Sequence, residues 1–170
     1  GMDAKVCVWD HETAPKSVTF DGHKGPIFAL AVAPSGKLAA SAGVDGAVRV
    51  WAIKDGKTKH VLDVGKDRIA ALAFNGDEVL ASGGYDGVVR LWDVTKGSEI
   101  VSFKKQSFRI TGIAFVNEGK QIVTCGVVSD TFAMGGLNIT CGVSRPLELW
   151  DAKDGKLVRK LEARGHALNE

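Results

Sequence analysis

The feature that most narrows what this chain can become is a short strand that ends in tryptophan and keeps returning. Ala47-Val-Arg-Val-Trp51, Val88-Val-Arg-Leu-Trp92 and Pro146-Leu-Glu-Leu-Trp150 share one pattern, and Val6-Cys-Val-Trp9 stands near the start. Together they hold all 4 tryptophans, spaced 42, 41 and 58 residues apart. Asp follows the tryptophan at Asp10, Asp93 and Asp151, while Ala52 breaks the pattern. A second marker sits upstream, Ser41-Ala-Gly-Val-Asp45-Gly and Ser82-Gly-Gly-Tyr-Asp86-Gly, and Gly22-His23 returns as Gly165-His166. A period near 40 residues is the mark of an architecture that stacks one supersecondary unit on another.

Inside each unit the apolar periodicity is that of strands. Residues 27–32, 37–42, 47–52 and 58–63 are four short runs, parted by Pro34-Ser-Gly36, Asp45-Gly46 and Lys54-Asp-Gly56. These are turn signals. The next unit repeats the scheme at 69–74, 78–82, 88–93 and 99–103, and no stretch of helical period competes. The fold class is therefore all-β, with units of four antiparallel strands. Units fall at about 21–63, 64–104 and 105–164, after a partial one at 1–20.

These recurring markers resemble the WD-repeat β-propeller family, and the resemblance runs over nearly the whole chain. It implies that a buried set of His, Ser or Thr, Asp and Trp ties each blade together. The first full blade has every member in His23, Ser41, Asp45 and Trp51. There the Asp carboxylate accepts from the imidazole, the imidazole meets the hydroxyl, and the hydroxyl meets the indole N–H. Such groups are costly to bury unless hydrogen-bonded. The second blade keeps Ser82, Asp86 and Trp92 but has Gly65 where His is expected. The third keeps Thr140 and Trp150, with Ser144 for Asp and Gln106 for His. His, Ser and Asp are also the residue types of a hydrolase triad. Recurrence at blade spacing and the lack of a nucleophile elbow favour the structural role.

The third unit is overlong. Thr-Cys-Gly-Val occurs at 124–127 and again at 140–143, and either copy fits the end of the blade's second strand. Residues 128–138 then form an insertion, expected as a surface loop that carries Phe132, Met134 and Leu137. A duplicated flank is also what a splicing or gene-model accident leaves, and recovery of the segment by peptide mapping would exclude that origin. Asn138-Ile-Thr140 matches a glycosylation sequon, which the intracellular look of the family makes a chance match.

Propellers of this family bind partners on the face around the central channel. The resemblance places Pro26, Phe28, Arg68, Arg109 and Thr111 there, at the starts of innermost strands. Val44, Tyr85 and Val143 join them as residues before the blade Asp. Phe28, Arg68, Tyr85 and Arg109 are the candidate partner-binding residues, because aromatics and arginines are the usual hot-spot types. Two arginines at equivalent places in adjacent blades suit an acidic or phosphorylated peptide. Lys54, Lys57, Lys59, Lys104 and Lys105 read as solubilising charge.

Charge and composition bound the function. The formal charge of +2 speaks against a protein that relies on phosphate neutralisation, and no apolar run is long enough for a membrane helix. Cys7, Cys125 and Cys141 have no metal-like spacing and are expected to be reduced and mostly buried. No metal cluster, phosphate loop or paired carboxylates stand out, so no cofactor, metal or catalytic residue is expected. The expectation is a non-enzymatic scaffold that binds proteins or peptides within a larger complex, in an intracellular, cytoplasmic setting. The alternatives are a propeller associated with RNA or ribosome assembly, and the non-catalytic domain of a larger enzyme. Gly1 ahead of Met2 reads as a tag remnant. Three and a half blades make an incomplete ring, to be completed by further blades of a longer chain or by a homodimer.

If the His-Ser-Asp-Trp set holds the first full blade, Asp45→Ala destabilises the fold more than Ser144→Ala. Chemical melts that rank the two in the opposite order would contradict the assignment.

Overall fold

The computed structural model describes residues 2–9, 17–103, 105–134, 137–144 and 147–161, with side chains described for all of these except 128–144 and 161. Gly1, Asp10, Lys104, Pro146 and Gly165-His166 lie outside the described residues, as do the side chains of Phe132, Met134, Leu137, Asn138, Thr140, Cys141, Val143 and Ser144. Among the described residues every regular element is a β-strand. A hairpin of β1 (Lys5–Trp9) and β2 (Ser17–Asp21) precedes three larger sheets. Blade A is β3 (Ile27–Val32), β4 (Leu38–Gly43), β5 (Ala47–Ala52) and β6 (Thr58–Asp63). Blade B is β7 (Ile69–Asn75), β8 (Val79–Gly84), β9 (Val89–Asp93) and β10 (Ser98–Ser102). Blade C contains β11 (Arg109–Val116), β12 (Gln121–Met134), β13 (Leu137–Ser144), β14 (Leu147–Asp151) and β15 (Leu157–Leu161). Neighbouring strands are antiparallel throughout, and the sheets form an arc that is not closed into a ring.

The turns explain the recurring dipeptides. Gly46 and Gly87 follow the blade aspartates with φ of 69° and 73°. Only glycine takes that conformation without cost. A Cβ on Gly46 would also collide with the Gly65 carbonyl of the incoming chain, so the turn and the next blade's entry fix each other. The Asp after Trp has a separate task. Asp93 Oδ1 accepts from the Thr95 N–H at 2.9 Å, and Asp151 Oδ1 from the Lys153 N–H at 2.8 Å. Blade A lacks this aspartate and keeps only the second bond of the turn, Asp55 Oδ1 accepting from the Lys57 N–H at 3.1 Å, which blade C also makes between Asp154 and Lys156 at 3.0 Å.

The sheets are held face to face by apolar contacts. Ala40, Ala42, Val48 and Val50 of blade A pack on Ile69, Leu80 and Trp92 of blade B. Ala71, Ala81, Val89 and Leu91 of blade B pack in the same way on Phe108, Ile110, Ile122 and Trp150 of blade C. The second strand of a blade is buried on both faces, which is why it is built from small residues, Ala39-Ala40-Ser41-Ala42-Gly43 and Ala81-Ser82-Gly83-Gly84. Trp51, Trp92 and Trp150 each pack on the preceding sheet, and Trp51 stacks on Phe20 of the hairpin at 5.0 Å between ring centroids, while Trp9 is exposed. Burying a large apolar side chain of this kind contributes about 1.5–3 kcal/mol.

The hairpin covers blade A incompletely. Leu72 and Phe74 on the inner strand of blade B are half-buried against blade A. Leu30 and Val32, which hold the matching register positions on β3, are 53% and 54% exposed because the sheet before them has only two strands. Cys7 is exposed, contrary to the expectation of burial. Strand alternation turns Val6 toward blade A and Cys7 away from it.

The polar network differs in each blade. In blade A, His23 Nδ1 lies 3.0 Å from both Asp45 oxygens, and Nε2 lies 2.8 Å from Ser41 Oγ. With Nδ1–H donating to the carboxylate, Nε2 is free to accept the Ser41 hydroxyl proton. Arg49 Nη1 donates to Asp45 Oδ2 at 2.8 Å, and the Lys24 N–H donates at 3.1 Å. Burial works against the charged carboxylate, but the Lys24 N–H, the His23 ring and Arg49 outweigh it and hold Asp45 below its ordinary pKa. The expected bond from the Trp51 indole to Ser41 is absent. Trp51 Nε1 is buried with no hydrogen-bond partner, on a ring that stacks against Phe20.

Blade B makes that bond, Trp92 Nε1 donating to Ser82 Oγ at 2.8 Å, and pairs Asp86 Oδ2 with Arg90 Nη1 at 2.6 Å. In blade C the hydroxyl comes from Thr124, not from the Thr140 expected on sequence grounds. Trp150 Nε1 donates to Thr124 Oγ1 at 3.1 Å, and that hydroxyl donates to Gln106 Oε1 at 3.2 Å. The register gives the reason. Gln121–Cys125 of β12 pair with β14, while Thr140 pairs with Thr131 in a separate hairpin arm. The insertion is therefore a paired extension of β12 and β13 reaching Ser144, where the sequence suggested a loop ending at 138.

Arg49 and Arg90 are members the family pattern did not supply. Both sit at the third place of the Trp-ending strand, and blade C has Glu148 there. Glu148 is buried and faces Lys160 Nζ of the next strand at 3.3 Å. Arg49 and Asp45 are both largely buried, so Arg49→Met is expected to destabilise by about 1–3 kcal/mol in urea melts, the loss of one charge-assisted bond with the His23 ring and the Lys24 N–H still in place. Lys57→Met, which removes an exposed pair with Asp55, is expected to change less than about 0.5 kcal/mol. Asp45 has a lowered folded pKa, so its contribution is complete above the unfolded carboxyl range near pH 4 and fades as the pH falls below it. Asp45→Asn should flatten that part of the stability-pH curve.

Candidate functional site

The start of each innermost strand carries the same irregularity. Register shifts between Ile27 and Ala29, between Ile69 and Ala71, and between Ile110 and Gly112 leave Phe28, Ala70 and Thr111 without a Cα partner. A bulge adds twist and re-aims side chains at the sheet edge. The residue two places ahead of each bulge ties to the end of the second strand. The Pro26 carbonyl accepts from the Val44 N–H at 3.1 Å, and the Arg68 carbonyl from the Tyr85 N–H at 2.9 Å. Arg109 pairs with Val127 in the same place. Pro26, Arg68 and Arg109 are thus equivalent, and so are Val44, Tyr85 and Val127. Val127 takes the position that the family pattern assigned to Val143, for the reason that moved Thr140.

This geometry brings the four candidate binding residues into one ladder. Arg68 Cζ stands 3.2 Å above the Phe28 ring centroid and 5.0 Å from that of Tyr85. Arg109 Cζ, at the other end of the run, lies 4.9 Å from the Tyr85 ring centroid. Aromatic ring and guanidinium alternate as Phe28, Arg68, Tyr85, Arg109 across blades A, B and C. A guanidinium over a ring face is attracted by the ring quadrupole, at about 0.5–2 kcal/mol depending on exposure. Stacking also fixes its plane and leaves the N–H groups at the rim as a fork suited to carboxylate or phosphate oxygens.

Ion pairing separates two classes of arginine. Arg49 and Arg90 are held by Asp45 and Asp86 inside the blades. Among the described residues neither Arg68 nor Arg109 has a carboxylate within ion-pair distance, and Arg68 Nε is buried without a hydrogen-bond partner. Phe28 and Tyr85 remain 40% and 37% exposed, so the ladder meets solvent. Beside it a shallow hollow is lined by Tyr85, Lys105, Ser107, Arg109, Val127 and Asp86, whose carboxylate is paired with Arg90. The surface is cationic and aromatic.

Other chemistries find less support in the geometry. Ser41 is fully buried with its hydroxyl on His23, so it offers no reachable nucleophile. Among the described residues no group of three or more His, Cys, Asp or Glu is placed to hold a metal ion, and no helix is long and apolar enough to cross a membrane.

Comparison with known proteins agrees with the architecture. The family described as WD domain, G-beta repeat, matches residues 15–52 and 56–93. A p21-activated protein kinase-interacting protein 1-like from Xenopus laevis is 35% identical over 65 residues, 38% of this chain and 18% of that protein. The small ribosomal subunit protein RACK1y of Oryza sativa subsp. japonica is 38% identical over 63 residues, 37% of this chain and 19% of that protein. The matched stretches thus span less than a fifth of either relative. Among solved structures, the computationally designed Ika8 protein superposes with a TM-score of 0.74 at 27% identity, covering 94% of this chain and 44% of that one. With its Trp-ending strands, four-stranded antiparallel sheets and matched repeats, the chain carries WD repeats of the propeller family at residues 15–52 and 56–93.

Proposed function

We propose that this chain is a non-catalytic scaffold module of an intracellular complex, and that it binds acidic or phosphorylated segments of partner proteins through the ladder of Phe28, Arg68, Tyr85 and Arg109. The observation that carries this reading is the pair of stacked arginines without internal carboxylates. A buried guanidinium nitrogen lacking an acceptor is costly to the free protein. An incoming carboxylate or phosphate relieves that cost and gains a charge-assisted bond. The kinase-interacting relative is consistent with a protein-binding role.

A second reading is an RNA-associated propeller subunit, favoured by the likeness to a small ribosomal subunit protein. Phe28 and Tyr85 would then stack bases and the arginines would meet phosphates. The formal charge of +2 provides little of the broad basic surface such binding uses.

Binding of a fluorescein-labelled decapeptide of alternating phosphoserine and valine separates the two. Arg68→Ala and Arg109→Ala are each expected to weaken it about tenfold, the loss of one charge-assisted bond. Tyr85→Ala is expected to weaken it as well, by freeing both guanidinium planes. Unchanged peptide affinity in the arginine variants would refute the peptide reading. Preferential, steeply salt-dependent binding of an oligouridine probe would favour the RNA reading instead.

A further inference from the structure

Blade C departs from its neighbours at the face that carries the ladder. Blades A and B close there with the tight turns at Asp45-Gly46 and Asp86-Gly87. In blade C the second strand does not turn. β12 runs on past Val127 to Met134 and returns as β13, making an arm that rises beside Arg109.

The register shows which edge of the arm is open. Below the arm, β12 is paired on one edge with β11 and on the other with β14. The β12–β14 pairing includes Cys125 with Leu147, and the β12–β13 pairing includes Val128 with Ser144. Position for position these lie in one register, so β13 prolongs the β14 edge. The β11 edge ends at the pair Arg109 and Val127. Above it, among the described residues, no strand pairs with the β11-side edge of Val128–Met134.

An open edge presents a row of backbone N–H and C=O groups, which proteins usually blunt with Lys, Pro or a bulge. Residues 128–134 read Val-Ser-Asp-Thr-Phe-Ala-Met, with no Lys, Arg or Pro. A two-stranded hairpin is marginal by itself in water, and a third strand stabilises it. The open edge starts beside the bend through which Ser107 and Phe108 lead into β11, next to Arg109 at the end of the ladder.

We infer that an extended, acidic segment of a partner protein adds to this edge of β12 as a third strand, taking above Arg109 the place that β11 holds below it. The inference rests on the ladder's role in binding acidic segments and supplies the conformation in which such a segment is held. Backbone bonds to the arm give affinity with little regard to sequence, and side-chain contacts select. Arg109 and Lys105 line the hollow beside Val127 at the foot of this edge, with Arg68 next along the ladder at Tyr85, which favours an acidic segment.

The test uses the full chain and the phosphoserine-valine decapeptide in two forms, unmodified and N-methylated at alternate residues so that one edge cannot join a ladder. The inference predicts that methylation weakens binding to the wild-type chain about tenfold or more, as loss of backbone pairing demands. A variant with residues 128–145 replaced by Asp-Gly, the turn of the other blades, should bind both forms equally and weakly. If Arg68→Ala and Arg109→Ala weaken binding but methylation does not, the ladder binds acidic segments and strand addition is wrong. If no substitution or methylation matters, or no peptide binds, both readings fall. A concentration-dependent doubling of molar mass that is lost on replacing 128–145 would show the edge occupied by a second copy and would overturn the inference.

Discussion

Face-to-face packing of small sheets is the constraint on which the rest of this structure depends. A four-stranded antiparallel sheet has two faces, and its middle strands are apolar on both, as the unbroken burial of β4 and β8 shows. Such a sheet gains stability from a neighbour on each side. Small residues on the second strand let the sheets approach, and the large ones, Ile69, Leu80, Trp92 and Trp150, fill the space between them. The exposure of Leu30 and Val32 shows the same rule from its other side, where the preceding hairpin stops short of the inner strand.

Polar networks ride on this packing and vary from blade to blade. Blade A ties the entering loop, the second strand and the turn together through His23, Ser41, Asp45 and Arg49. Blade B dispenses with histidine and keeps the Asp86–Arg90 pair. Blade C exchanges the arginine for Glu148 and shifts the ion pair outward to Lys160. Shared side-chain positions thus support different hydrogen-bond solutions, because hydrophobic contact has already set the distances between strands. Variation in the networks is tolerable where variation in the packing would not be.

Much of this was legible in the sequence. The Trp-ending strands and Asp-Gly turns are local signals, and each strand of blade A lies within a residue of where periodicity places it. The four binding candidates were also visible as aromatics and arginines at equivalent blade positions. Their stacking was not, since it depends on bulges at Phe28 and Thr111 that leave no composition mark. The exchange of Thr124 for Thr140 has a different origin. A duplicated Thr-Cys-Gly-Val offers two locally equal registers, and only pairing with β11 and β14 chooses between them. The recurrence of Arg49 and Arg90 at one strand position was the available signal for the internal ion pairs.

The most direct test of the account is to follow the arginine Nε–Hε resonances of the folded chain by NMR while the phosphoserine-valine decapeptide is added. Arg49 and Arg90 are already bound to Asp45 and Asp86, whereas Arg68 and Arg109 have no such partner among the described residues. The account predicts that the Arg68 and Arg109 signals move and saturate together while those of Arg49 and Arg90 stay in place. Movement confined to other arginines, or none at all, would contradict it.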